Sequence, residues 1–133
     1  MAILLLDSTV IIDHLNGRSG RSAFIEQLVL EQGNRLACCP VNITEVYGGL
    51  RPGEERKTVA FLDSLEYLPV TADVARMAGL LRRDWQRKGL TLSYADVTIA
   101  AVALANAVPL LTDNPRHFPM PELRLFPLPE RAK

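Results

Sequence analysis

The sequence predicts an α/β protein, a parallel sheet of about four to five strands with helices on both faces. Three observations carry this. Short apolar runs recur along the chain, as strands buried on both faces require. Between them lie longer stretches with apolar residues at helical spacing. The two kinds of segment alternate, which is the pattern of successive strand and helix units stacked into a parallel sheet. At 133 residues the chain has the length of a single domain, 1–133, and a chain of this size removes about two-thirds of its extended surface from water. A hydrophobic fraction of 48% with 23% charged residues excludes a disordered composition.

The first strand is Ile3-Leu4-Leu5-Leu6, stopped by Asp7. Ser8 to Leu15 follows as a helix ending near Asn16-Gly17, with Asp7 at its N-cap. A second helix is predicted from Ser22 to Gln32, burying Phe24, Ile25, Leu28 and Val29 and closed by Gly33-Asn34. Leu36 to Cys39 is the next strand. Pro40-Val41-Asn42 turns into a helix through Ile43 to Tyr47 that ends at Gly48-Gly49; with Asn42 as the cap, Glu45 falls at capping-box spacing. After Arg51-Pro52-Gly53 a helix runs from Glu54 to Leu65, and Tyr67 to Val70 is a short strand.

Thr71 opens the most amphipathic helix. Val74, Met77, Ala78, Leu81 and Trp85 make its apolar stripe, and Arg76, Arg83 and Arg87 lie on the other face. Gly89 ends it. Ser93-Tyr94-Ala95-Asp96 starts another helix, again at capping-box spacing, and Val97 to Ala107 is apolar nearly all round, as a central element packed on several sides should be. Val108 to Thr112 is a strand delivering Asp113 and Asn114. The chain closes with Arg116-His117-Phe118, a proline-bounded edge strand around Leu123 to Phe126, and a polar tail.

Lys plus Arg and Asp plus Glu number 15 each, so the chain exerts no global pull on nucleic acid or anionic membrane, and any nucleic-acid contact must be a local patch. Cys38 and Cys39 sit in an apolar stretch without partners at metal-ligand spacing and read as buried thiols, which suits a reducing compartment. The first apolar run is broken at Asp7 and again at Asp13, so it is neither signal peptide nor membrane span, and a cytoplasmic protein is expected. His14 and His117 lie in a helix and beside Phe118 with no nucleophile-elbow pattern, so both read as packing or surface residues and a triad enzyme is unsupported. The glycines form no phosphate-cradling loop.

The acids are the chemistry-bearing group. Asp7, Glu45, Asp96 and Asp113 all lie just past a strand end or in the first turn of a helix that follows a break. Singly, each has a structural explanation as a cap or as a partner of a helix dipole. Jointly, they occupy positions that converge at one edge of a parallel sheet, where open α/β sheets carry their ligands. Carboxylates crowded together raise one another's pKa unless a cation neutralises them. A hard divalent ion such as Mg²⁺ suits oxygen-only ligands and phosphate substrates, which points to metal-assisted phosphodiester hydrolysis.

Four pieces, in order and at suitable spacing, carry a family resemblance. They are Leu4-Leu5-Leu6-Asp7-Ser8-Thr9-Val10-Ile11-Ile12; Asn42-Ile43-Thr44-Glu45-Val46 with Gly48-Gly49; Asp96-Val97-Thr98-Ile99-Ala100-Ala101; and Pro109-Leu110-Leu111-Thr112-Asp113-Asn114-Pro115-Arg116-His117-Phe118. Together they resemble PIN-domain ribonucleases, and within them the VapC-type toxins of toxin-antitoxin pairs. The resemblance implies a Mg²⁺- or Mn²⁺-dependent endoribonuclease whose acids map onto Asp7, Glu45 and Asp96. The fourth position follows a Thr-x-Asp or Thr-x-Asn pattern: Asn114 occupies it with Thr112 as hydroxyl partner, and Asp113 stands one residue early as the favoured acid. A homodimer, and an antitoxin that inserts a segment into the acidic groove, are also implied.

Arg82, Arg83, Arg87, Lys88 and Arg116 are candidates for the RNA patch. The alternative is a solvated helix face with pairs such as Asp84 and Lys88. Two other functions compete with the nuclease. One is a metal-silent interaction module of the same fold, and the other is a phosphatase or receiver-like domain using Asp7 or a neighbouring acid as phosphoacceptor. The phosphatase pattern expects a second Asp where Thr9 stands.

Overall fold

A computed structural model describes residues 2–18 and 20–129; the polar tail expected at 130–133 lies outside them. In chain order the elements are β1 (Ile3–Leu6), α1 (Ser8–Leu15), α2 (Arg21–Glu26), β2 (Arg35–Cys38), α3 (Pro40–Gly48), α4 (Glu55–Asp63), β3 (Glu66–Tyr67), α5 (Ala72–Arg87), α6 (Tyr94–Asn106), β4 (Leu110–Leu111) and β5 (Leu125–Phe126). The five strands form one parallel sheet in the order β3-β2-β1-β4-β5. β1 is therefore central, and the chain builds outward from it first through β2 and β3, then on its other side through β4 and β5. The gap between β1 and β4 is the place where the strand order reverses.

The apolar runs divide by the pleat. Leu4 and Leu6 enter the layer that holds Val10, Ile11, Ile25, Leu28, Val46 and Leu62, while Leu5 enters the layer of Val74, Ala78, Val97 and Ala101. Leu36 and Cys38 follow the first set, Ala37 and Cys39 the second, and β4 splits the same way between Leu111 and Leu110. A slip of one residue would exchange the two layers, so register is fixed by burial on both faces. Leu4, Leu5 and Leu6 are each fully buried, and burial of each stabilises the fold by about 2 kcal/mol. α6 presents Val97, Ile99, Ala100, Ala101, Val102 and Ala103 to the interior, as its all-round apolar sequence predicts.

Several boundaries differ from the sequence expectation, and three of them shape the sheet and the end of α2. The helix expected to Gln32 is α-helical only to Glu26 and continues over Gln27–Glu31 as a π-helical turn; the wider turn keeps Leu28 at 1% exposure while Val29 and Leu30 face outward. β3 ends at Tyr67 because Leu68 makes the last backbone bond, to Cys38, and Pro69 has no N–H to continue the ladder. β4 is reduced to two residues, since Pro109 precedes it and contributes only its carbonyl, to Leu5. Burial, and then the neighbouring thiol, push Cys38 up to about 11, so it remains a protonated core side chain. No helix among the described residues is long and apolar enough to cross a membrane.

Candidate active site

Three backbone segments meet at the carboxyl ends of β1, β2 and β4. The Asp7 N–H donates to the Leu111 carbonyl at 2.8 Å, which ties the end of β1 to the end of β4. The Asp7 side chain is 6% exposed. One oxygen, Oδ1, accepts the Ser8 N–H at 2.8 Å, and the other, Oδ2, accepts the Thr112 hydroxyl at 2.7 Å. Thr112 in turn accepts the Asn114 N–H at 3.0 Å. Asn114 is thus bound to Thr112 through its backbone, and the Thr112 hydroxyl links the two strand ends.

α3 begins three residues earlier than the sequence suggests. Cys39 is the N-cap, Pro40 takes the first helical position, where its missing N–H is not needed, and Asn42 is the third residue, with Oδ1 accepting the Cys39 N–H at 2.8 Å. Glu45 consequently lies in the second turn. Its capping explanation is withdrawn by this geometry, and its carboxylate is engaged elsewhere: Oε1 accepts the Ser8 hydroxyl at 2.7 Å, and Ser8 Oγ accepts the Asn42 amide at 2.9 Å. Asn42 is fully buried. A chain of hydrogen bonds thus runs from the Cys39 backbone through Asn42 and Ser8 to Glu45.

Asp96 is in the first turn of α6, where its N–H donates to the Ser93 hydroxyl at 3.0 Å. Its Oδ2 lies 3.4 Å from His117 Nδ1. Burial pushes the Asp7 carboxyl above its ordinary value, the Thr112 and Ser8 hydrogen bonds oppose this, and the negative charges of Asp96 and Glu45 push it further up. Glu45 on α3 and Asp96 on α6 therefore both bear on Asp7, just past the end of β1 at the strand-order reversal.

Asp113 belongs to a different environment. Its carboxylate is ion-paired with the guanidinium of Arg21, which is fully buried and also donates from Nη1 to the Pro129 carbonyl at 3.2 Å. Asp113, the fourth acid that the sequence suggested, thus has a cation from α2 as partner and also lines the hollow that holds His117.

Of the basic candidates, Arg116 lies beside the site, lining a hollow with Asp113, Asn114 and His117. Arg83, Arg87 and Lys88 are on the exposed end of α5. The pair expected between Asp84 and Lys88 is replaced: Asp84 pairs with Arg83, and the Lys88 ammonium lies 4.5 Å from the Trp85 ring centre. Arg82 donates from Nε to the Leu92 carbonyl at 2.8 Å. His14 packs on Phe61 at 4.3 Å between ring centres, the packing role expected of it.

Sequence reasoning did not assign roles at the site to Ser8, His117 or Arg21, and read Asn42 only as a cap. Ser8 could have been found as the hydroxyl directly after the strand-end acid. Arg21 carried no local signal.

The donor set is oxygen throughout, which suits a hard divalent cation. Among the described residues no three His, Cys, Asp or Glu side chains are gathered closely enough to enclose an ion. The fit is therefore to an ion that uses one or two carboxylates and retains water, as Mg²⁺ does, and the unrelieved repulsion on Asp7 is what such a cation would remove.

This fold is that of a PIN domain. The PIN-domain family model matches residues 4–121, and the chain belongs to that family. It is 33% identical over 121 residues to the ribonuclease VapC19 of Mycobacterium tuberculosis, covering 90% of this chain and 96% of that one. It is 26% identical to the ribonuclease VapC2 of Rickettsia felis, covering 87% and 90% of the two chains. Among solved structures, the VapBC2 complex of Rickettsia felis bound to a promoter DNA fragment superposes with a TM-score of 0.80 at 25% identity, covering 93% of this chain and 97% of that one. The DNA-bound VapBC of Salmonella typhimurium shares the fold, with a TM-score of 0.76 over 95% and 98% of the two chains at 23% identity.

Proposed function

We propose that the chain is the ribonuclease toxin of a toxin-antitoxin pair, cutting RNA phosphodiester bonds with a Mg²⁺ or Mn²⁺ ion that takes one or two of the Asp7, Glu45 and Asp96 carboxylates directly and fills its remaining positions with water. One observation carries the reading: a nearly buried carboxylate at the strand-order reversal feels the charge of two further acids delivered by separate elements. Such an arrangement is costly in an empty pocket and useful beside a cation. Membership of the PIN family and 33% identity to a protein named as a ribonuclease support the substrate class.

When bound, the ion would neutralise charge on the phosphate and make a water more acidic. The chain's own residues do the positioning. Asp7 is held through both oxygens by Ser8 and Thr112, Glu45 is aimed by Ser8, and His117 Nδ1 lies 3.4 Å from Asp96 Oδ2. Asp113, paired with Arg21, fixes the end of β4 and so the Thr112 hydroxyl. Arg116 is placed to meet RNA phosphate beside the acids. The solved relatives described as VapBC complexes support a protein antitoxin as partner; a homodimer working in the cytoplasm completes the reading.

The test is RNA cleavage by the partner-free protein with Mg²⁺ or Mn²⁺. Removing one indirect partner of a metal ligand typically costs 10- to 100-fold, so Asp7→Asn and Asp96→Asn should each lower the rate by more than about 100-fold with the circular-dichroism spectrum retained. Wild-type rates in both variants would make the acids structural, and undiminished cutting in excess chelator would remove the ion from the reading.

A further inference from the structure

A hollow at the carboxyl end of β5 is not used by the acid cluster. It holds about 360 Å³, and its lining includes Thr112 and Asp113 from the end of β4 and Phe126, Pro127, Leu128 and Pro129 from the end of β5 and beyond. Strand register fixes its place. Leu111 pairs with Leu6 on one side and with Phe126 on the other. The residues that follow, Asp7, Thr112 and Pro127, are therefore neighbours in that order across the carboxyl edge of the sheet, and two strand spacings span about 10 Å. Thr112, which lines the hollow, is the residue whose hydroxyl binds Asp7 Oδ2 at 2.7 Å. The hollow also shares Asp113 and Pro115 with the one lined by Arg116 and His117, and His117 Nδ1 lies 3.4 Å from Asp96. Both hollows thus border the acids and adjoin at the turn 113–115.

The walls select the occupant. Pro127 and Pro129 have no N–H, so an extended peptide laid along this stretch lacks the donors that strand addition requires. A flat π system needs none, because it is held by its faces. Proline has no rotamers to lose, and Phe126 is already packed against the layer of Leu4, Leu6 and Leu111, so ordering this surface around a ring costs little side-chain entropy. The segment is also anchored: the Pro129 carbonyl accepts Arg21 Nη1 at 3.2 Å. The same buried guanidinium is paired with Asp113 and balances a charge that would otherwise repel a phosphate entering beside it.

We propose that this hollow is a nucleobase subsite, in which the base of a nucleotide flanking the phosphate that is cut stacks on Phe126 between the two prolines. The inference rests on the ribonuclease reading. Phe126 is then a substrate-binding residue. Every base has a π face, so the subsite contributes affinity and sets the position of the RNA over the acids without reading which base it holds.

The experiment uses the full-length protein and an oligoribonucleotide that wild type cuts at one position, with a series in which single nucleotides flanking that position are made abasic. At one of them the missing base should raise KM by about 10-fold, the size typical of losing one stacked base, with kcat unchanged. Phe126→Leu keeps an apolar side chain in the layer and removes the ring. It should raise KM on intact RNA by about 10-fold and should show no further rise with RNA abasic at that position. Phe126→Tyr should behave as wild type. Each variant is compared with itself on the two RNAs, so any loss of folded protein cancels.

If no abasic replacement changes KM, or if the losses from Phe126→Leu and from the missing base multiply as independent effects at every position, the subsite is overturned while the nuclease stands. Wild-type RNA kinetics in Phe126→Leu, with weakened binding to a purified antitoxin, would overturn it too, because the hollow would then receive a peptide. Failure of wild type to cut any RNA overturns the ribonuclease reading and this inference together.

Discussion

Asp7 and Asp113 follow adjacent strands of the same sheet, yet the protein treats their charges in opposite ways. Asp113 meets a fully buried arginine. Asp7 is given hydroxyl and amide donors but, among the described residues, no basic side chain in an ion pair, and two further acids are brought to bear on it. The difference separates a carboxylate that holds the fold from one that is left needing an external charge. Proximity to a strand end does not make an acid part of a reactive centre; the partner it finds there decides.

Removing Arg21 should give the largest effect. Breaking a buried pair by deleting one partner costs about 3–5 kcal/mol because the other charge remains, so Arg21→Met should lower unfolding stability by roughly 3 kcal/mol in denaturant titration. Arg21→Met with Asp113→Asn should recover part of this. If Arg21→Met instead abolishes RNA cleavage with stability untouched, the two acids are not as different as their partners suggest.

A smaller loss is expected from Ser8→Ala. The substitution leaves Asp7 in place and takes away the hydroxyl that orients Glu45, and second-layer partners of this kind are worth about 10- to 100-fold; a drop near 10-fold in cleavage rate at unchanged melting temperature is expected. No change would mean that Glu45 needs no orienting.

The smallest effect is a pH dependence. The folded-state pKa of Asp7 is raised above its ordinary 3.8, so the native protein binds this proton more tightly than the unfolded chain. Its contribution therefore favours folding at low pH and declines as pH rises from 3.8 through the folded pKa, after which it is flat. The metal-free wild type should lose stability relative to Asp7→Asn across that window. A slope of the opposite sign would show that the protein itself neutralises Asp7.

Much of this arrangement was legible in local patterns. The apolar run Ile3 to Leu6 and its terminal acid, the all-apolar α6, and the Ser93 cap that places Asp96 are written in neighbouring residues, and the structure has them where the sequence suggests. Glu45 was misplaced by half a turn or more because Asn42 looked like a cap; Pro40, a residue well suited to the first helical position, was the better signal. The fate of Asp113 depends on Arg21, which is 92 residues away in sequence, and no spacing rule connects them. The short β3 and β4 were overestimated because Pro69 and Pro109, beside them, have no N–H to donate to the ladder.

The bond between Thr112 and Asp7 spans 105 residues. Strand β1 emerges first during translation but must wait for β4 before its pocket exists, an interval on the order of ten seconds at roughly 5–20 residues per second. Until then Asp7 has neither its second strand nor the Thr112 hydroxyl. A chain that cuts RNA would thus lack a complete acid pocket for the whole interval between the synthesis of these two strands.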